Sequence, residues 1–513
     1  MSLVRALAGT SGLTLLSRIT GLVRDILIAK AFGASGLRDA FEIAFQLPNM
    51  MRRLFAEGAF SQAFVPLLGR TQATEGDAAA KALIDKIATA QLLALLGFTA
   101  LGMLAAPWIV LLFASGFAKV PGKLELTTNL LRIMFPYLVF ISLVALAGGV
   151  LNTWKRFAVP AFTPVLLNLS MIAGAVWLAP YLSQPIMGLA WGVFIGGVLQ
   201  MALQIRPLIA LGQMPTPDFA LNDPGVKNVL AAMGPALLGV SVAQVSMLIN
   251  TNYASYFGEG SVSWLKTADR LMEFPTALLG VALGTVLLPS LARAAGTANT
   301  EEMRRLLSWG VRIAVLLAVP ASVVMLILAE PIVATLFQRG AFTANDVAQT
   351  QWAVMAYAVG VLGLVSVKIF APAFYAQADM KTPVRISVIV LIATQLVNAL
   401  LVFLIVPTAQ RHAALALGTS LGAVLNAALL WRGLRARGLC VVGVGTSALV
   451  LRVLAAVSVL GAVCWVGRTQ FAPWTYVSEL SRITKLAAIL IAGGTSYLIA
   501  LWALGVRPAQ FRR

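Results

Sequence analysis

Charge is what this chain has least of. Asp, Glu, Lys and Arg make up 11% of its 513 residues, against about 25% in an ordinary soluble domain. Such a chain cannot clothe a large solvated surface. Histidine occurs once, as His412, beside Arg411, which leaves no His-based metal site or catalytic triad. Cys440 and Cys464 are the only cysteines. They sit in or beside apolar segments and read as small hydrophobes rather than a disulfide. The N-terminus lacks a small-residue cleavage site after a short apolar core, so no removable signal peptide is expected. No GxxxxGK[ST] sequence occurs, which excludes ATP hydrolysis by a P-loop. Neither an enzyme nor a cofactor is expected, and any transport would draw on a gradient, the membrane potential or a coupled pathway.

What the chain has in abundance is apolar sequence. It is 59% hydrophobic, with a mean hydropathy of +0.89. The apolar residues run in blocks, such as 87–113, 163–179, 394–406 and 486–504, and about 20 such residues cross a hydrocarbon core of about 30 Å. The reading is an all-α polytopic membrane protein of about fourteen transmembrane helices, with membrane lipids as its surroundings. A soluble bundle fails for want of polar helix faces.

The formal net charge of +19 does not point to nucleic acid, because the basic residues are scattered among short connections without a recognisable motif. They follow the positive-inside rule instead. Alternate connections hold Arg70, Lys155, Arg156, Arg304, Arg305, Lys381, Arg435 and Arg437, and the tail adds Arg507, Arg512 and Arg513. The opposite connections hold Lys119, Lys123, Arg339, Arg468 and little else. Both termini are therefore expected in the cytoplasm.

Proline spacing suggests an internal repeat. Pro66 and Pro289 are 223 apart, as are Pro160 and Pro383. With a one-residue slip, APWIVLLFASGF at 106–117 matches EPIVATLFQRGAF at 330–342. The offset covers six spans, an even number, which implies parallel repeats: two six-helix lobes related by a pseudo-two-fold axis and facing a central cleft. The expected divisions are an N-terminal lobe at 1–206, a cytoplasmic linker at 207–225 and a second lobe at 226–435. Two additional helices and a tail occupy 436–513.

Charge inside a span is costly unless it meets water or a partner. Three clusters occur: SRITGLVRD with Ser17, Arg18, Arg24 and Asp25; RDAFEIAFQLPNMMRRLFAEGAF with Arg38, Asp39, Glu42, Asn49, Arg52, Arg53 and Glu57; and SWLKTADRLMEFP with Ser263, Lys266, Asp269, Arg270 and Glu273. Spacings of three or four would neutralise several of these along a helix face, and Lys30, Arg38 and Lys266 read equally well as paired or snorkelling residues. Lys368 is either a further contact or a snorkeller. Arg18, Arg24, Arg52 and Arg270 read as cavity residues. Several guanidiniums around water attract an anion, and their planar forks suit phosphate oxygens.

The same stretches, with FGASGLRDAFEIAFQLPNMMRRLFAEGAFSQAFVP and ADRLMEFPTALLGVALGTVLLPSLAR, closely resemble the MurJ (MviN) family. Its members are bacterial lipid II flippases of the multidrug/oligosaccharidyl-lipid/polysaccharide exporter superfamily. The resemblance implies two lobes around a V-shaped cavity, with two C-terminal helices forming a groove for the polyprenyl tail. It also implies movement of undecaprenyl-pyrophosphate-linked disaccharide pentapeptide across the inner membrane. The family's cavity arginines correspond to Arg18, Arg24, Arg52 and Arg270, with Ser17, Asp39, Ser263 and Glu273 at neighbouring polar positions. Two other readings remain: an exporter of drugs or lipid-linked polysaccharide from the same superfamily, and a non-transporting scaffold that recruits cell-wall synthesis proteins.

Overall fold

Long apolar runs without strand-forming alternation predict helices, and the computed structural model is helical in every regular element of its described residues, 3–52, 59–220, 222–439, 444–507 and 510. Arg53 and Glu57 lie outside them, as do Cys440, Arg512 and Arg513. Packing divides the chain into two units, Met1–Val262 and Ser263–Arg513.

The first unit contains α1 (Leu3–Phe32), α2 (Gly36–Met51), α3 (Ala59–Glu75), α4 (Asp77–Leu104), α5 (Ala106–Phe113), α6 (Lys123–Met134), α7 (Tyr137–Thr153), α8 (Ala158–Ala173), α9 (Met187–Ala210) and α10 (Pro224–Ala254). The second contains nearly all of α11 (Ser261–Gly296), then α12 (Thr300–Ile327), α13 (Ala329–Phe337), α14 (Ala344–Ala358), α15 (Val361–Ala376), α16 (Lys381–Leu400), α17 (Arg411–Ala436), α18 (Val444–Gln470) and α19 (Glu479–Ala503).

By length and hydropathy, nine helices among the described residues qualify as membrane spans, or ten if α14 and α15, bent by 40°, count as one. That is fewer than the fourteen expected. Helices occupy the other expected regions as far as they are described, α2 with only 16 residues. Apolar side chains point outward in stripes: Ile392, Leu396 and Leu404 are 57%, 67% and 77% exposed. Contiguous apolar surface of this kind suits lipid and not water.

The repeat shows in the element boundaries. Asp77 and Thr300, Ala106 and Ala329, and Ala158 and Lys381 begin equivalent helices 223 residues apart; Tyr137 and Val361, and Met187 and Arg411, do so at 224. Even the irregularities recur. Lys155 and Ala378, 223 apart, adopt positive φ of 60° and 59°, a conformation uncommon outside glycine. Both α8 and α16 unwind into a π-helical stretch, at Gly174–Leu178 and Leu401–Ile405.

Segment 207–225, expected as a linker, is a strap across α4. Asp85 accepts the Thr216 amide (2.7 Å) and hydroxyl (3.0 Å), and the Asp218 amide donates to Thr89 Oγ1 (2.9 Å). Packing divides the chain later, after Val262, because α10 docks on the helices before it. Thr251 donates to Gln46 Oε1 (2.9 Å), and Asn252 to the Leu112 carbonyl (2.9 Å). The Gly116 amide donates to Ser255 Oγ (3.0 Å). Close backbone approach sets other crossings. A Cβ on Gly188 of α9 would lie 2.5 Å from the Gly174 carbonyl oxygen, so only glycine fits that contact.

The two additional helices are fastened to α12 and α13. Helix α13 ends after nine residues, leaving carbonyls without intrahelical donors. Arg482, which is buried, donates to the Ala334 and Gln338 carbonyls (2.8 and 3.1 Å) and to Gln338 Oε1 (2.6 Å). Arg339 covers Thr335 and Leu336 (3.2 and 3.1 Å) and pairs with Glu479 (2.9 Å). Arg468 binds the Ile327 carbonyl and Glu330, both at 3.1 Å, and the Tyr497 hydroxyl donates to Leu316 O at 2.7 Å.

Arg482→Ala strips donors from buried carbonyls, a loss of about 2 kcal/mol. Thermal unfolding in detergent should show a lower midpoint, with the 471–478 connection cut earlier by protease than in the native chain. A second expectation concerns pH. Asp379, in the turn before α16, accepts from the hydroxyl and amide of Thr382 and from Arg437, which hold its carboxyl well below the usual carboxylate range. A depressed folded pKa stabilises above the unfolded value of about 3.9 and loses that contribution as pH falls toward the folded one. The melting difference between the native chain and Asp379→Asn should therefore hold steady from pH 8 to 6 and shrink below about pH 4.

Candidate functional site

In the first unit, α1 carries Ser17, Arg18 and Arg24, of which Ser17 and Arg24 meet Asn168 of α8. Arg24 is buried. Its Nε and Nη2 donate to one oxygen of Asp25 (2.9 and 2.7 Å), while Nη1 donates to Asn168 Oδ1 at 2.9 Å. The Asn168 amide in turn donates to the Ser17 carbonyl and Thr20 Oγ1, both at 3.1 Å. Asn168 thus ties α8 to two turns of α1 and fixes the plane of the Arg24 guanidinium. Its signal in the sequence was a lone amide in the apolar run TPVLLNLSMIA, where side-chain amides bridge helices. Arg18 is exposed and makes no hydrogen bond or ion pair among the described residues.

Arg52 caps the C-terminus of α2 and is half-buried. Its Nε and Nη2 both reach Asn49 Oδ1, at 3.3 and 3.1 Å. One turn of helix separates the two residues, so the contact follows from their spacing. An amide oxygen is a neutral acceptor, and a phosphate oxygen forms hydrogen bonds about twice as strong with the same guanidinium edge.

Asp39 occupies a different environment. It has no solvent exposure, accepts the Gly260 amide at 2.8 Å and faces Lys123 Nζ at 3.4 Å. Lys123 is buried as well, with its ammonium 4.2 Å from the centre of the Phe117 ring. The sequence placed Lys123 in a connection between spans, and it is the first residue of α6. The structure makes it the cation that lets a carboxylate be buried, since an isolated one would not remain charged there. Asp39 therefore fastens α2, α6 and the turn ahead of α11 in this conformation. Arg38 is tied locally, through Glu42 (3.5 Å) and the Gly33 carbonyl (3.2 Å).

The second unit presents its charges on α11. Ser263 is fully buried, and its carbonyl accepts from Thr267 Oγ1 at 2.7 Å. About two turns further on, Arg270 and Glu273 pair at 3.4 Å, with side chains 37% and 38% exposed. A pair this open is weak, so an anion can compete for the arginine. Lys368 reaches across from α15 to donate to the Thr276 carbonyl at 3.1 Å. It lies so close that a Cβ on Gly280 would stand 2.2 Å from its Cδ. That places it against α11, one helical turn past Glu273. Among the described residues, no three His, Cys, Asp or Glu side chains gather where a metal ion would sit.

Ser17, Arg18, Arg24, Arg52 and Asp39 thus belong to the first unit, and Ser263, Arg270 and Glu273 to the second. The arrangement offers arginine forks in both, with an Asn or an acidic neighbour beside Arg24, Arg52 and Arg270.

The family described as lipid II flippase MurJ matches residues 28–485. The lipid II flippase MurJ of Burkholderia cenocepacia is 48% identical over 519 residues, covering 100% of this chain and 99% of that one. A probable lipid II flippase MurJ of Vibrio cholerae is 40% identical and covers 97% and 95%. Among solved structures, a lipid II flippase MurJ in an inward closed conformation superposes with a TM-score of 0.79 at 25% identity, covering 96% and 97%. An inward-facing multidrug transporter of the MATE family, at 16% identity and a TM-score of 0.68, shares the fold. With a family match and relatives that span it from end to end, the chain belongs to the lipid II flippase MurJ family.

Proposed function

We propose that this chain carries lipid II from the inner to the outer leaflet of the bacterial inner membrane by alternating access, making and breaking no bond. The observation that carries the reading is membership of a lipid II flippase family along nearly the whole chain. The arginines supply a physical reason for it. Arg18, Arg24, Arg52 and Arg270 are the groups that would grip the pyrophosphate, because a guanidinium fork matches two phosphate oxygens at once. Asn49 and Glu273 are among the groups that orient Arg52 and Arg270. Ser17, Ser263, Asp39 and Glu273 would set the polar surroundings, with Asp39 released only when its link to Lys123 and Gly260 opens. Both termini face the cytoplasm on this reading, in keeping with the distribution of Lys and Arg. The chain's repeated segments, 1–206 and 226–435, would act as two lobes, with 436–513 adding the two further helices.

Labelled lipid II in proteoliposomes under an imposed membrane potential tests the proposal. The native chain should move the label to the far leaflet. Arg52→Ala and Arg270→Ala should each cut the rate by about 10- to 150-fold, since removing a charged hydrogen-bond partner costs about 1.5–3 kcal/mol. Arg52→Lys, which keeps the charge but not the fork, should fall between. Native rates in both alanine variants would move the anion grip elsewhere. No transport by a folded native chain would return the scaffold reading.

A further inference from the structure

Histidine occurs once in the chain, and an arginine grip gives it no task. His412 nevertheless lies buried in the first turn of α17. Its Nε2 is 2.9 Å from the Gln349 carbonyl, in the second turn of α14. A carbonyl oxygen only accepts, so in the neutral ring Nε2 carries the hydrogen. The ring meets Trp264, near the start of α11, with centroids 5.1 Å apart and planes inclined by 54°. The Trp264 indole nitrogen donates to Asp346 Oδ1 at 2.9 Å. Asp346 is buried in the first turn of α14, and its other oxygen accepts the amide and hydroxyl of Thr343 at 2.8 and 3.0 Å.

Trp264 is therefore held by a carboxylate on one side and an imidazole on another. The two helices that supply these groups are bound to one another. Ser420 of α17 donates to the Ala356 carbonyl of α14 at 2.8 Å. Just beyond α14, a Cβ on Gly360 would stand 2.7 Å from the Ser420 Cα, so only glycine permits that approach. Helices α14 and α17 thus form one support for the start of α11.

A helix held at one side chain has its rotation fixed, because each residue turns about 100° from the last. On α11, Arg270 stands about 240° on from Trp264, and Thr276 about 120°. Lys368 of α15 meets the Thr276 carbonyl at 3.1 Å. The two contacts hold α11 from separate directions, and Arg270 lies about 120° from each. We propose that Trp264, Asp346 and His412 position α11 so that its rotation presents Arg270 to the pyrophosphate of lipid II, which rests on Arg270 being part of the phosphate grip. None of the three touches lipid II, and each acts through Arg270.

Translocation of labelled lipid II in proteoliposomes tests this with Trp264→Phe, which keeps a ring beside His412 and removes the donor to Asp346. Its rate should fall about fivefold, less than in Arg270→Ala, because the guanidinium is displaced and not removed. Added to Arg270→Lys, Trp264→Phe should cost less than about a further twofold, since the fork it aims is already gone. His412→Gln keeps a donor for the Gln349 carbonyl but loses the ring against Trp264, and should slow transport by a similar factor. Melting midpoints in detergent check that each variant folds, and His412→Gln tests the same contact from the other side should Trp264→Phe melt early. Native rates in Trp264→Phe and His412→Gln, with Arg270→Ala slow, overturn the clamp and leave the grip standing. Native rates in Arg270→Ala overturn the grip, and the clamp with it. A full fivefold loss from Trp264→Phe in the Arg270→Lys chain also overturns the proposal, because the start of α11 would then act by a route other than Arg270.

Discussion

Inside a membrane a polar group has no water to fall back on, and a carbonyl or guanidinium without a partner costs several kcal/mol. Most features of this chain answer to that constraint. Each repeat contains a short helix, α5 or α13, whose last carbonyls are left without donors. In the first unit Asn252 donates to the Leu112 carbonyl and is itself held by Ser115. In the second they are met by Arg339 and Arg482. The two solutions differ because the second unit has α19 to draw upon. The additional helices are therefore part of how the repeat is completed, besides whatever surface they offer to lipid.

The same constraint explains why the arginines can be kept. Arg24 is buried only because Asp25 and Asn168 occupy both edges of its guanidinium. Asp39 is buried only because Lys123 and the Gly260 amide stand against it. Arg52 and Arg270 are less buried, with Asn49 among the partners of the first and Glu273 among those of the second. The difference between the two sets lies in burial and not in residue type.

Hydropathy and the rarity of charge marked the chain as a helical membrane protein, because length and apolar content decide whether a helix crosses lipid. Matching prolines, at offsets of 223, revealed the repeat: Pro160 and Pro383 stand in the first turns of α8 and α16, and Pro66 and Pro289 inside α3 and α11. The arginines of α1, α2 and α11 were legible as expensive exceptions to an apolar pattern, and a long resemblance supplied their family. Segment 207–225 was legible as a connection, but its attachment to Asp85 and Thr89 was not, since a polar side chain 131 positions away carries no local signature.

Tertiary structure alone decided which charges are spent. Arg18 and Arg24 lie on one helix six residues apart, yet one is exposed and the other buried against Asn168. Lys123 read as a residue of a connection and proved to be the partner of a fully buried Asp39, 84 positions earlier. Such pairings depend on which helix faces meet. Sequence determines that a charge must be compensated within an apolar chain, because the energetic penalty is local. Which group compensates it is a matter of packing, and that is settled only when distant helices come together.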